Sequence, residues 1–159
     1  MKYLLILPLL VACSPVEAEM PTACELLRGV DPEALLGQPA EIVEMSNIDN
    51  DAVHMTMCNA NPAEGYEGLG VLLRHVKTDD GMTPQARIEA YVEDLKTTMT
   101  ADVAVEQVDG VGDAGGIWMD MGAQLAFFHG PSLIIATASG STPKDTARMM
   151  AERIDAQLD

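Results

Sequence analysis

Ser132-Leu133-Ile134-Ile135-Ala136-Thr137-Ala138 (SLIIATA) is the most apolar strand in the sequence, and its composition places it at the centre of a sheet. Just upstream, 116–121 and 124–128 read as a hairpin around Gly122, and 103–108 reads as a further strand. Downstream, Thr142-Pro143 opens a last helix with Ala147, Met150, Ala151, Ile154 and Leu158 on one face. Toward the N-terminus, Thr83-Pro84 opens a helix to about Thr97, with Ile88, Tyr91, Val92 and Leu95 at helical spacing. Three strands precede it: 41–46 and 52–59 around a polar turn at 47–51, then 69–76 after a loop at 61–68. In the second of these, Val53, Met55 and Met57 alternate with His54, Thr56 and Cys58. Before them, 30–37 is a short helix in which Asp31 caps, Pro32 takes the first helical position and Gly37 ends it, with a turn at 24–27 ahead of it. Strands that come in runs, not in alternation with helices, specify an α+β fold. The expectation is a single domain over 23–159, with a mostly antiparallel sheet of six to seven strands and helices packed on it.

The composition bounds what such a domain does. Its 159 residues supply one core and not two. Apolar residues make up 48% but aromatics only 4%, so the 11 Met take over part of the packing. Lys and Arg number 9 against 25 Asp and Glu, a formal charge of -16. Such a surface repels phosphate backbones, which rules against nucleic-acid binding as the main activity and against a polybasic grip on anionic lipid. No apolar run reaches the ~18 residues a spanning helix needs.

The first residues carry an address. Met1-Lys2 gives a positive start and 3–11 is apolar except for Pro8, the layout of a secretory signal. Leu10-Val11-Ala12-Cys13 resembles the lipobox of bacterial lipoproteins. That resemblance implies cleavage after Ala12, a diacylglycerol thioether on Cys13, and a stable membrane anchor of several acyl chains. Ser14 in place of Asp implies sorting to the outer membrane, with the domain facing the periplasm. Residues 1–12 are then the signal peptide and 13–22 a lipidated flexible tether, proline- and glutamate-bearing and without periodicity.

Two cysteines remain, Cys24 and Cys58. An even count in an oxidising compartment makes a disulfide the default, and a thiol metal or redox pair the alternative. The arrangement Cys24-Glu-Leu-Leu, Leu36-Gly37, Cys58 and Gly110-Val-Gly-Asp-Ala114 with a closing helix resembles small bacterial lipoproteins of PsbP-like fold. The resemblance spans most of 23–158. It implies a curved antiparallel sheet used as a binding scaffold, with no catalytic residue to carry over.

Several motifs match the letters of a known chemistry without its context. Gly110-Val111-Gly112-Asp113-Ala114-Gly115 fits G-x-G-x-x-G, but a dinucleotide loop must enter a helix and a strand follows here, so it reads as a tight inter-strand turn. Ser141-Thr142-Pro143-Lys144 fits S-x-x-K, but the companion elements are missing and a helix N-cap explains it. His54 and Cys58 stand ~13 Å apart along a strand, beyond proton transfer. No nucleophile, base and oxyanion set assembles. Met55-Thr56-Met57 and Met119-Asp120-Met121 each put two thioethers on one strand face, and thioethers with imidazole select Cu(I). Beside core packing by these residues, the metal alternative is a set drawn from Met55, Met57, Met119, Met121, His75 and His129. The sequence thus leads to a membrane-anchored, non-enzymatic binding or protein-interaction module without a cofactor. Its partner is an envelope protein or small ligand, and periplasmic copper handling is the alternative.

Overall fold

The computed structural model describes residues 20–78, 80–99, 104–120 and 123–159, Asp120 by its backbone only. Along them run α1 (Ala23–Gly29), α2 (Pro32–Leu36), β1 (Ala40–Asp49), β2 (Val53–Pro62), β3 (Gly68–Val76), α3 (Pro84–Thr98), β4 (Val105–Val108), β5 (Gly116–Asp120), β6 (Ala123–His129), β7 (Ser132–Ser139) and α4 (Pro143–Leu158). The strands form one sheet in the order β1-β2-β3-β7-β6-β5-β4, and every neighbouring pair is antiparallel. The α+β expectation holds, and the SLIIATA strand is fourth of the seven.

The sheet's two faces are covered unequally. On the first, Leu26, Leu27 and Val30 beside α1 and Ala147, Met150, Ala151 and Ile154 of α4 meet Cys58, Val71, Leu73, Ile134, Ala136, Leu125 and Phe127. This is the main core, and the apolar stripe of α4 lies where its spacing put it. On the second, α3 is the covering element. Its Tyr91 and Leu95 pack on Met119, Ala126, Leu133, Ile135 and Phe128, with Tyr91 edge-on to Phe128 at 6.0 Å. Helix α3 contacts β6, so the second face of β1, β2 and β3 has no helix over it.

Helix α1 is longer than the turn expected at 24–27. Thr22 and Glu25 form a capping box, in which the Thr22 hydroxyl accepts from Glu25 N–H and the Glu25 carboxylate from Thr22 N–H at 2.7 Å. Ala23 N–H donates to the Thr56 hydroxyl at 2.8 Å, and Cys24 is disulfide-bonded to Cys58 with their Cα atoms 5.1 Å apart. Met20 packs against the same core, so the ordered domain includes residues expected in the tether. In α2, Asp31 caps and Gly37 ends the helix at φ 69°, as expected. Strand β1 runs further than expected, through 47–49 of the polar stretch, and β2 starts at Val53 and continues to Pro62, into the expected loop. Edge strand β1 carries a register shift between Glu44 and Ser46 that turns Met45 outward.

The glycine-rich 110–115 segment is the turn between β4 and β5. Gly110, Gly112 and Gly115 take φ values of 81°, 67° and 90°. Gly112 N–H donates to Asp155 of α4 at 2.8 Å, and a Cβ there would stand 2.6 Å from the Phe128 carbonyl oxygen. Thr142 occupies the N-cap position of α4, but its side chain makes no capping bond, and Lys144 lies 5.6 Å from the Trp118 ring.

Two stability outcomes follow. Reducing the disulfide is expected to lower the unfolding free energy by about 3–4 kcal/mol in the chain-entropy account, read by urea denaturation of oxidised and reduced protein. Gly112→Ala is expected to destabilise more than Gly110→Ala. Both add backbone strain at positive φ, but nothing lies within 4 Å of a Cβ at Gly110. Equal effects would contradict the close approach at Gly112.

Candidate functional site

Where no helix covers the second face, the sequence leaves a trench. Strand β3 alternates Leu69, Val71 and Leu73 into the core with Gly68, Gly70 and Leu72 on the other side. Two glycines remove the side chains that would fill the floor. The neighbouring strands supply walls, Met57, Asn59 and Asn61 from β2 and Ile135, Thr137 and Ser139 from β7, with Gln124 of β6 behind. The hollow has a volume of about 410 Å³, and no charged side chain lines it.

The walls are close. A Cβ on Gly70 would stand 3.0 Å from Asn59 Oδ1 and 3.7 Å from Thr137 Cβ, and one on Gly68 3.6 Å from Ser139 Oγ. Among the described residues, the side chains of Asn59, Asn61, Gln124 and Thr137 have no hydrogen-bond partner. Ser139 Oγ donates to the Tyr66 carbonyl at 3.0 Å, which places Tyr66, 98% exposed, at the rim of one end. The trench therefore presents apolar surface, amide donors and acceptors, and hydroxyls. It offers no acid, base or thiol.

The second feature lies on the core face at the other end of the sheet. Register carries His54, His75, Ser132 and His129 onto one row across β2, β3, β7 and β6. These are all 3 histidines of the chain. His75 Nδ1 shares a 2.9 Å hydrogen bond with Ser132 Oγ, and the same oxygen lies 3.9 Å from Met20 Sδ. His54 Nδ1 lies 3.5 Å from the Asp49 carboxylate, which also holds Lys77 Nζ at 2.6 Å, while His54 Nε2 is buried without a partner. At the row's far end, His129 Nδ1 sits between Asp155 at 3.7 Å and Asp113 at 4.0 Å. The Ser132–His75 pair is no nucleophile and base, because Ser132 is 1% exposed and beyond a substrate's reach.

The residues of the Met/His set fall apart in space. Met57 lines the trench and Met55 shares its face, whereas His75 and His129 stand on the opposite face. Met119 is buried beneath α3, where the Tyr91 hydroxyl donates to its sulfur at 3.4 Å. Met121, Cys13 and the rest of 1–19 lie outside the described residues. Among the described residues, no group of three or more His, Cys, Asp or Glu is placed to hold a metal ion. In the sequence, Met20 reads as tether and Gly68 as loop. Asn59 and Thr137 stood inside strands without any mark of their shared side.

No protein-family description, curated protein or solved structure matches the chain.

The histidine row sets a pH dependence. Burial, then the charges of His54 and Lys77, holds His75 below its ordinary value of 6.5. The unfolded chain takes up that proton first, so the contribution is complete above about pH 6.5 and is lost as the pH falls toward the folded value. The Lys77 hydrogen bond chiefly holds Asp49 below 3.8, and the Thr22 N–H and hydroxyl hold Glu25 below 4.5. Their contributions are present above those values and lost at lower pH. Urea midpoints measured against pH are expected to fall in two stages on acidification, and His75→Gln is expected to abolish the first. A wild-type midpoint unchanged from pH 7 to pH 5 would contradict the account.

Proposed function

We propose that the protein is a lipid-anchored lipoprotein of the bacterial envelope that binds an uncharged, extended segment of a partner protein along β3. The observation that carries this is the trench. A floor of Gly68, Gly70 and Leu72 spans ~14 Å at strand rise, and its walls stand two strand spacings apart, about 10 Å. That admits one extended chain. Free carboxamides of Asn59 and Asn61 match peptide N–H and C=O groups, and Met57, Leu72 and Ile135 take apolar side chains. Tyr66 supplies the exposed aromatic anchor that protein interfaces favour. Around this uncharged strip, a chain of net charge -16 disfavours acidic ligands.

The anchor fits this use. Met20 meets Ser132 at one end of the sheet, and Asn61, Gly68 and Ser139 lie toward the other. The chain thus enters the domain at the histidine end, away from the Asn61, Gly68 and Ser139 end of the trench. Among the described residues no helix is long and apolar enough to cross a membrane. Against copper handling by the Met/His set stands the placement of its described members on opposite faces.

The test uses the full lipidated chain in its own membrane, with a photo-cross-linker at Asn61. Wild type is expected to give a discrete adduct that Gly70→Val and Tyr66→Ala each diminish. Gly70→Val fills the floor and suits a strand, but its Cβ meets Asn59 Oδ1 at 3.0 Å and the Asn59 side chain must shift, so a cooperative melt close to that of wild type is the check that the fold persists. An adduct indifferent to Gly70→Val would contradict the trench as the site, and a small-molecule adduct would mean a carrier. Cys13→Ser is expected to release the protein from the membrane fraction, and retention there would contradict the anchor.

A further inference from the structure

A pair of histidines stands on the opposite face from the trench and does not depend on it. His54 and His75 are direct partners across β2 and β3, so their side chains leave the same face with Cβ atoms about 5 Å apart. Each ring is held through Nδ1, His54 by the Asp49 carboxylate at 3.5 Å and His75 by the Ser132 hydroxyl at 2.9 Å. An imidazole that gives its Nδ1 proton to an oxygen keeps its lone pair on Nε2, the arrangement in which histidines ligate metals. His54 Nε2 is buried and has no hydrogen-bond partner, which leaves it open to a ligand.

Two imidazoles leave a site incomplete, and among the described residues no third His, Cys, Asp or Glu completes a metal-binding group with them. The remaining donor of another kind is a thioether. Met20 Sδ lies 3.9 Å from Ser132 Oγ, the atom that also bonds His75 Nδ1. From that point residues 20–23 pass to Thr56, where Ala23 N–H is bonded on the same face of β2 two residues beyond His54.

The geometry points to a Cu(I) site formed by His54 Nε2, the His75 imidazole and Met20 Sδ. Imidazole and thioether together select this soft monovalent cation over harder divalent ones. Lys77, two residues beyond His75, is paired with Asp49 at 2.6 Å. The metal would join the chain ahead of α1 to the sheet, at the end where the proposed anchor leaves.

The experiment is an anaerobic Cu(I) titration of the full chain in detergent, in competition with bicinchoninate. Wild type is expected to retain one Cu(I). Loss of an outer partner alone costs a metal site roughly tenfold or more, so losing a ligand through Met20→Leu or His54→Gln is expected to cost at least about tenfold in affinity. The double variant Met55→Leu, Met57→Leu is expected to bind as wild type. The Met20 methyl resonance is expected to shift on Cu(I) addition, which a purely structural Met20 would not show. Failure of wild type to compete, full affinity in Met20→Leu, or loss confined to the Met55/Met57 variant would each overturn the assignment. So would tighter retention of Zn(II) than of Cu(I).

Discussion

The placement of α1 governs the rest of the molecule. Seven residues make two helical turns, too short to persist alone in water. Three attachments hold them: the Cys24–Cys58 disulfide, the Ala23 N–H to Thr56 bond, and the Thr22–Glu25 capping box. With α1 fixed over β2 and β3, α4 packs beside it, and both helices commit their apolar stripes to one face. That leaves α3 for the other face, and α3 covers β6. The uncovered strip over β2, β3 and β7 results from this division, and its residues suit exposure. It shows carboxamides, hydroxyls and glycines where a buried face would show Leu and Val.

The same division sorts the chain's chemistry. Period-two alternation sends Met55, Met57 and Asn59 outward and His54, Thr56 and Cys58 inward on one strand. A binding surface for a neutral ligand and a histidine cluster thus share β2 without sharing a face. The tie at Ala23 also brings Met20 to the histidine end, so ordering of the first turn and assembly of that cluster are coupled.

Much of the fold was legible. The apolar character of 132–138, the apolar spacing of α4 and the Asp31-Pro32 to Gly37 helix each state local physics that tertiary contacts did not override. The glycine turn was legible too, because a strand follows it. Strand lengths were less so. Residues 47–51 are polar because edge strand β1 meets solvent, not because the chain turns there at once. The capping box at Thr22 and Glu25 was written in the sequence, and reading it would have extended α1.

The sites were legible only in part. Alternation alone separates His54 from Met55 and Met57. That His54, His75, Ser132 and His129 form one row requires the register of four strands, which local sequence does not encode. Gly68 resembles a loop residue until β3 is placed between two walls. The central claim, that this side of the sheet stands open, is tested most directly by methyl NMR of the full chain with a soluble paramagnetic probe. Methyl signals of Met57 and Leu72 are predicted to broaden strongly, while those of the fully buried Leu73, Ile134 and Leu125 stay sharp. Equal protection of the two sets would mean that the face is covered and would contradict the account.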